Sequence, residues 1–420
     1  MNRTTLGLVG CFVAIWTISH PSANTRAADS DQITTNRHTT TWDQWRGPHR
    51  DGVWNGRLPD QLDALTLVWE KPLSPSYSGP ISNGTLVFTT ETVDETHERV
   101  TAFDLQTGDQ VWTVQWAGAM RVPRFAAANG SWIKATPAVN ATSLVLLGIR
   151  DEVVSLNPVT GTEQWRVDLA ERFGSTRPKF GAVCSPIIDD AAVYVQGGGA
   201  TVKLSLEDGS TLWRTLDGES DDDAFSSPII ATLAGVRQMV VQTRSRLCGV
   251  NLANGEVLWS EPIEAFRNMN ILTPTIIDNK VFTAAHSGRS HMFTVDHDNG
   301  QWTVKELWNQ KTQAYMSSPV IMDQTIYLHA KSERLTALDV DTGAILWTSR
   351  PMGKYQSLVH NQRRILSLDS TGQLRLIKPN REELEIVQTR KVADDAWAYL
   401  GITDDGLLIR DLNVLRYFRF

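Results

Sequence analysis

The side chains whose placement best suits chemistry in this chain are cations. Arg150, Arg244 and Arg289 recur at one equivalent position in three similar stretches, each five residues ahead of a turn-forming segment, and Lys331 and Arg334 stand close to that position in a fourth. Guanidinium groups gathered on one surface suit a carboxylate, a phosphate, a sulfate or an acidic partner, because they offer paired donors and a positive field. Exposed arginine in a turn needs no such account, so ordinary solvated turn residues are the plainer reading and ligand binding the sharper one.

Other candidate groups are weaker. His286, His291 and His297 lie close in sequence, but their spacing fits neither a strand face nor a helical face, and separate surface histidines are expected rather than a metal site. Asp221, Asp222 and Asp223 sit in an acidic loop, Glu219 to Phe225, without the spacing of a calcium loop. Cys184 and Cys248 could pair or remain buried thiols. The chain carries no GxSxG, phosphate-binding loop or HExxH, so no catalytic residue is assigned.

With 420 residues and a formal charge of -7, the composition is that of a globular protein with no basic tail, which argues against a nucleic-acid partner. Arg3 precedes an apolar run from Leu6 to Ile18 and then small residues, the layout of a Sec-type signal peptide over residues 1–27. Export to the periplasm or beyond is expected, with no membrane span in the mature chain. Leu8-Val9-Gly10-Cys11 resembles a lipobox, but the apolar run continues past Cys11, so ordinary cleavage is favoured over a lipid anchor.

The elements that must hold these groups repeat. Thr136-Pro137, Ser185-Pro186, Ser227-Pro228, Thr273-Pro274 and Ser318-Pro319 each open a unit, with Gly79-Pro80 as a variant, and Trp112, Trp165, Trp213, Trp259, Trp308 and Trp347 close them. Between these landmarks lie short β-branched runs such as LVFTT, AVYVQ and TIYLHA, bounded by turn residues. Units of this length with about four short strands are propeller blades, each burying its faces only against its neighbours.

The end of each unit is the most specific signal. AFDLQTGDQVW and ALDVDTGAILW share Asp104 and Asp339, Gly108 and Gly343, and Trp112 and Trp347 at identical spacing. The Asp can bond its own turn, the Gly accepts a left-handed backbone, and the Trp is delivered against the next blade. This resembles the tryptophan-docking motif of the PQQ-like repeat propellers, the family of the pyrroloquinoline-quinone (PQQ) enzymes and the barrel-assembly lipoprotein BamB. The resemblance covers nearly all of the mature chain. Departures occur where Ser155 and Asn157 replace Ala and Asp, where Trp308 comes late, and in the seventh unit, which lacks both Gly and Trp.

Eight inner strands are expected, beginning near Pro80, Pro137, Pro186, Pro228, Pro274, Pro319, Gln356 and Ala398. The last unit lacks an outer strand, and LTLVWEKPL, carrying Trp69, is an orphan that would complete it and close an eight-bladed ring. Seven blades follow instead if the degenerate unit is a linker. The propeller is assigned to residues 62–420 and a leader to residues 28–61, where WDQWRGPHRDGVW resembles the RGP-x-x-DG lead-in of bacterial exported propellers of this class. Three tryptophans there are costly to expose, so an ordered segment covering one side of the ring is expected.

On a propeller, the loops entering the inner strands share a face with the turns between second and third strands. Long loops there run from Val114 to Ala135, with Arg121, Arg124 and Phe125, and from Asp168 to Val183, with Arg172, Arg177 and Lys179. The resemblance alone would allow a quinone-dependent dehydrogenase using PQQ and calcium. That family covers its quinone with adjacent cysteines, which this chain lacks. The expectation is therefore a non-catalytic binding or scaffold propeller without cofactor, engaging a protein or polymeric ligand through its loop-rich face. An enzyme, either a quinoprotein or a glycan hydrolase or lyase, is the alternative.

Overall fold

The computed structural model describes residues 41–218 and 225–420. They form eight four-stranded antiparallel sheets, arranged as an eight-bladed β-propeller. Blade 1 comprises Ile81–Ser82, Leu86–Val93, His97–Asp104 and Gln110–Trp116. Blades 2 to 6 repeat the pattern, with inner strands at Ala138–Val139, Ile187–Asp189, Ile229–Leu233, Thr275–Ile277 and Val320–Met322. The seventh unit is a complete blade, from Gln356–His360 to Glu385–Lys391, which removes the seven-bladed alternative. Blade 8 combines Gly401–Thr403, Gly406–Arg410 and Val414–Arg419 with the early strand Thr66–Pro72. Thr66 faces Arg419 and Pro72 faces Val414, so the two ends of the chain close the ring as the orphan strand implied.

The recurring Ser/Thr-Pro pair has a mechanical role. Gly79 donates its amide to Thr136 Oγ1 at 2.9 Å, Thr136 to Ser185 Oγ at 3.0 Å, Ser185 to Ser227 Oγ at 2.9 Å, and Ser227 to Thr273 Oγ1 at 3.3 Å. Each hydroxyl thus satisfies a buried amide of the preceding blade near the axis.

At the periphery, six tryptophans bridge to the following blade. The indole N–H of Trp69, Trp112, Trp165 and Trp213 reaches the carbonyls of Leu105, Pro158, Leu206 and Leu252 at 2.9, 3.0, 2.8 and 3.1 Å. Trp308 and Trp347 do the same at Val340 and Asn380, at 2.8 and 2.9 Å. Asp104 Oδ1 takes the amides of Gln106 and Thr107, and Asp339 Oδ1 those of Asp341 and Thr342. Asn157 fills the same role for Val159 and Thr160, which explains its tolerance at an Asp position. Gly161 adopts φ +74° with the Trp112 ring where a Cβ would stand, 2.8 Å away.

Trp259 is the exception. Blade 5 extends its last hairpin, Ser290–Asp298 with Gln301–Gln310, carrying Gly300 clear of any neighbour. Trp259 instead donates to Gln238 Oε1 of its own blade at 2.6 Å. The insertion that delays Trp308 therefore removes the preceding blade's docking turn.

Candidate functional site

The leader determines what the loop face looks like. Ser82 and Val139, at the far ends of the inner strands of blades 1 and 2, donate their amides to the carbonyls of Trp42 and Asp43 at 2.9 and 2.8 Å. Val53 and His360 of blade 7 form a short parallel bridge, in which Trp54 donates its amide to His360 O at 2.8 Å and His360 donates to Gly52 O at 2.9 Å. Arg50 reaches the near end of blade 3, donating to Pro186 O and Ser185 O at 2.8 and 2.9 Å, and Arg46 reaches Pro319 O of blade 6. One short segment touching inner strands on opposite sides of the ring must lie on the axis. It enters from the far face and rises to Trp45, plugging the channel.

Trp45 and Tyr399, whose rings meet edge to face at 5.2 Å, help form the wall of a cavity of about 160 Å³ on the loop face. Thr136, Ser185, Ser227, Thr273 and Ser318 contribute the hydroxyl ring, and Met269, Ile271 and Met316 an apolar side. Around its mouth the loops entering the blades supply aromatic rings in contact with one another. Trp132 meets Tyr77 at 5.7 Å, Tyr77 meets Trp397 at 4.7 Å, and Trp397 stacks flat on Tyr355 at 4.1 Å. The arc continues through Tyr315 to His286 and Phe266. Opposite, Phe125, Phe180 and Phe225 form a second run with centroids 5.5 and 5.7 Å apart.

Lys134 is the cation in this wall. Its ammonium donates to the carbonyls of Gly130, Trp132 and Phe180 at 3.0, 3.1 and 3.5 Å, and burial pulls its pKa down to about 8. Behind it, fully buried Glu98 accepts the Ile149 amide at 2.7 Å, and burial pushes its carboxyl up to about 8. Burial works against the charge on both groups, while each favours the charged form of the other.

The four cations read from the sequence sit in turns between second and third strands and so share the loop face, but none lines the axial cavity among the described residues. The carbonyl of Arg150 accepts from Arg177 at 2.6 Å, and Arg150 helps hold the Asp168 carboxyl below its ordinary range after the hydrogen bonds from Glu171 and Arg177. Arg244 stacks over Phe225 at 5.4 Å and donates to Arg267 O at 2.9 Å. Arg289 donates to Asn309 Oδ1 at 2.6 Å, and Lys331 to Ser287 Oγ. Each has a local role, and Arg244 touches a cavity-lining ring. Arg121 pairs with Glu95, Arg172 donates to Gly209 O at 2.7 Å, and Arg177 pairs with Asp168 at 2.6 Å.

His291 contacts Glu306 at 2.7 Å, His297 stacks on Trp302, and His286 lies against Tyr315, so the three face different neighbours. Cys184 and Cys248 are both buried and are not joined in a disulfide. Asp221, Asp222, Asp223, the signal segment and Cys11 lie outside the described residues. Calcium with a quinone needs several oxygen ligands with carboxylates among them. No Asp or Glu lines the cavity among the described residues, which therefore do not fit that group.

What sequence reasoning missed was the aromatic crown and Lys134. The crown residues occupy one inter-blade loop after another, as Tyr77, Trp132, Phe180, Phe225, Phe266, Tyr315, Tyr355 and Trp397, at varying distances from the Ser/Thr-Pro landmarks. Only the recurrence of an aromatic in each such loop could have pointed to them.

Comparison with known proteins gives a consistent picture. Residues 96–349, more than half of the chain, match the family model described as outer membrane protein assembly factor BamB. The outer membrane protein assembly factor BamB of Yersinia pestis is 25% identical over 308 residues, covering 66% of this chain and 76% of that protein. The Escherichia coli (strain K12) protein of the same name is 22% identical over 315 residues, covering 61% and 76%. The crystal structure of BamB from Moraxella catarrhalis superposes with a TM-score of 0.62 at 16% identity, over 85% of this chain and all of that one.

Proposed function

Since the chain belongs to the family of the outer membrane protein assembly factor BamB, we propose that it is an exported, non-catalytic scaffold that holds a protein or polymeric ligand at its loop-rich face. The observation that carries this reading is the blind axial funnel. The leader closes the channel behind Trp45, and the inter-blade loops surround the opening with aromatic rings. Aromatic rings are rigid and amphipathic, so they give contact area at little entropic cost, the composition expected at the core of an interface. No cofactor takes part in this reading, since holding a ligand requires none.

Export rests on the signal-like residues 1–27 and on relatives named for outer membrane protein assembly. No helix among the described residues is long and apolar enough to cross a membrane.

Site-specific photo-crosslinking in the native host tests the proposal. A photoreactive residue at Asn129, on the cavity wall, and another at Phe125 should capture the same exported protein or polymer, whereas one at Ile345 on an outer strand should not. Identical adducts at all three positions would refute a role for the loop face, and so would the absence of any adduct at Asn129 and Phe125.

A further inference from the structure

The axial plug brings charge as well as closure. Arg46 and Arg50 are 0% and 2% exposed, and Arg46 donates to the carbonyls of Arg50, Asp51 and Pro319. Arg50 donates to Gln44 Oε1 and the carbonyls of Ser185 and Pro186. Neither guanidinium is hydrogen-bonded to a carboxylate among the described residues, and the Nε of each has no acceptor. Burial disfavours the charge on both, and the Asp51 carboxylate partly offsets this for Arg46. Both stack against Trp45, at 5.6 and 5.3 Å, and Arg46 also lies 6.0 Å from the Tyr399 ring. Trp45 and Tyr399 are the cavity wall, so the positive field of the plug enters the cavity through its floor.

Donors converge there too. Thr136 Oγ1 and Ser185 Oγ each accept a backbone amide, which leaves each hydroxyl its own proton to give. Lys134 adds a positive charge whose protons are shared with the carbonyls of Gly130, Trp132 and Phe180, so that a ligand must compete with the most distant of these, and no carboxylate lines the cavity among the described residues. Asn129 and the hydroxyl groups of Ser227, Thr273 and Ser318 complete the polar lining, and aromatic and aliphatic side chains supply the remainder. A cavity of about 160 Å³ has room for one large side chain with its terminal group, not for the flank of a folded domain.

We infer that the axial cavity binds the C-terminal residue of a polypeptide, taking an apolar or aromatic side chain against Trp397, Met269 and Met316 and the free carboxylate toward Lys134, Thr136 and Ser185. This deepens the scaffold reading and rests on it: the partner held at the loop face is gripped by its chain end. The Lys134 ammonium and the guanidinium groups of the plug favour that terminus over an amino terminus or a neutral sugar.

The test uses the full chain and two probes, N-acetyl-Ala-Ala-Phe with a free carboxylate and the same peptide as its C-terminal amide, titrated calorimetrically. A charge-assisted hydrogen bond corresponds to roughly a ten- to hundredfold preference, so the acid should bind at least about tenfold tighter than the amide. Lys134→Met should erase most of that ratio and Lys134→Arg should retain it, with thermal unfolding reporting that each variant folds. If Lys134→Met does not fold, the ratio in the wild-type protein and in Lys134→Arg decides.

Equal affinity of acid and amide, a ratio unchanged in Lys134→Met, or no binding of either peptide would overturn the inference. N-acetyl-phenylalanine binding as tightly as the tripeptide would overturn the chain-end occupant in favour of a small apolar acid. Cross-linking at Asn129 that persists while acid and amide bind equally would sink this inference and leave the scaffold reading standing.

Discussion

At the joint between blades 1 and 2, where Phe88 and Val100 pack with Leu144 and Val154, Trp112 covers the outer edge, its ring under Gly161 and its N–H meeting Pro158 O. The joint between blades 7 and 8 has no tryptophan on its outer strand, Glu385–Lys391. Trp54, Leu58, Leu62 and Leu65 fill it instead, packed in one cluster with Leu366 and Leu368 of blade 7 and Ile402 and Ile409 of blade 8. Arg390 fastens that segment by donating to Leu62 O and Leu65 O, both at 2.7 Å. The two joints meet the same need, an apolar filler with its polar groups satisfied. The first uses a residue of the adjacent repeat, and the second borrows residues from the other end of the chain. A degenerate repeat is thus tolerated where another segment supplies its missing packing.

The comparison breaks most sharply at Trp54. Trp54 is fully buried, so Trp54→Ala should cost about 3–5 kcal/mol in denaturant unfolding, as other large buried aromatics do. A loss below about 1 kcal/mol, typical of surface positions, would mean that the leader merely rests on the ring.

The joints should also differ in their response to pH. His360, bonded through its backbone to the leader, and His329 in blade 6 are buried, and burial pulls both pKa values from 6.5 to about 4. Their depressed values make the unfolded state bind protons first, so stability present above about pH 6.5 is lost as pH falls toward 4, by the order of 3 kcal/mol for each. Glu98, between blades 1 and 2, works in the opposite direction. Its pKa is raised from 4.5 to about 8, so its contribution is fully present below 4.5 and is lost as pH rises through 8. Hydrogen exchange followed by mass spectrometry should show acid loosening Gln356–His360 first and alkali loosening the Ile149 region first. The same order of opening at both extremes would contradict this assignment.

Trp347 is only half-buried, so Trp347→Ala should cost about 2 kcal/mol, less than Trp112→Ala. The smallest contrast separates two glycines with nearly equal φ, +74° and +78°. Gly161→Ala adds a clash with Trp112 to the strain of a left-handed backbone, about 2–4 kcal/mol together. Gly300→Ala has open space and should cost only the strain, about 1–2 kcal/mol. Equal melting shifts for the pair would remove the docking role of the Gly161 turn.

The propeller was legible because its signals are local. Asp104, Gly108 and Trp112 lie on one hairpin, and the orphan strand around Trp69 announced ring closure by lacking a partner. Trp259 shows the limit of local reading: its own unit looks ordinary, and its docking fails because the next blade's hairpin is longer. The site was less legible for the same reason. Arg150, Arg244 and Arg289 share an address in the repeat, but the cavity is made by irregular loops and by Trp45, Arg46 and Arg50, whose place on the axis follows from contacts far away in sequence. The Ser and Thr of the unit-opening pairs were read as punctuation, whereas in three dimensions they form the hydroxyl ring.

The central claim is that the leader occupies the propeller axis. Residue-resolved hydrogen exchange of the amides of Ser82, Val139 and His360, whose acceptors are the carbonyls of Trp42, Asp43 and Gly52, tests it most directly. Protection equal to that of the blade cores is the result the account predicts, and exchange at the rate of exposed strand ends would contradict it.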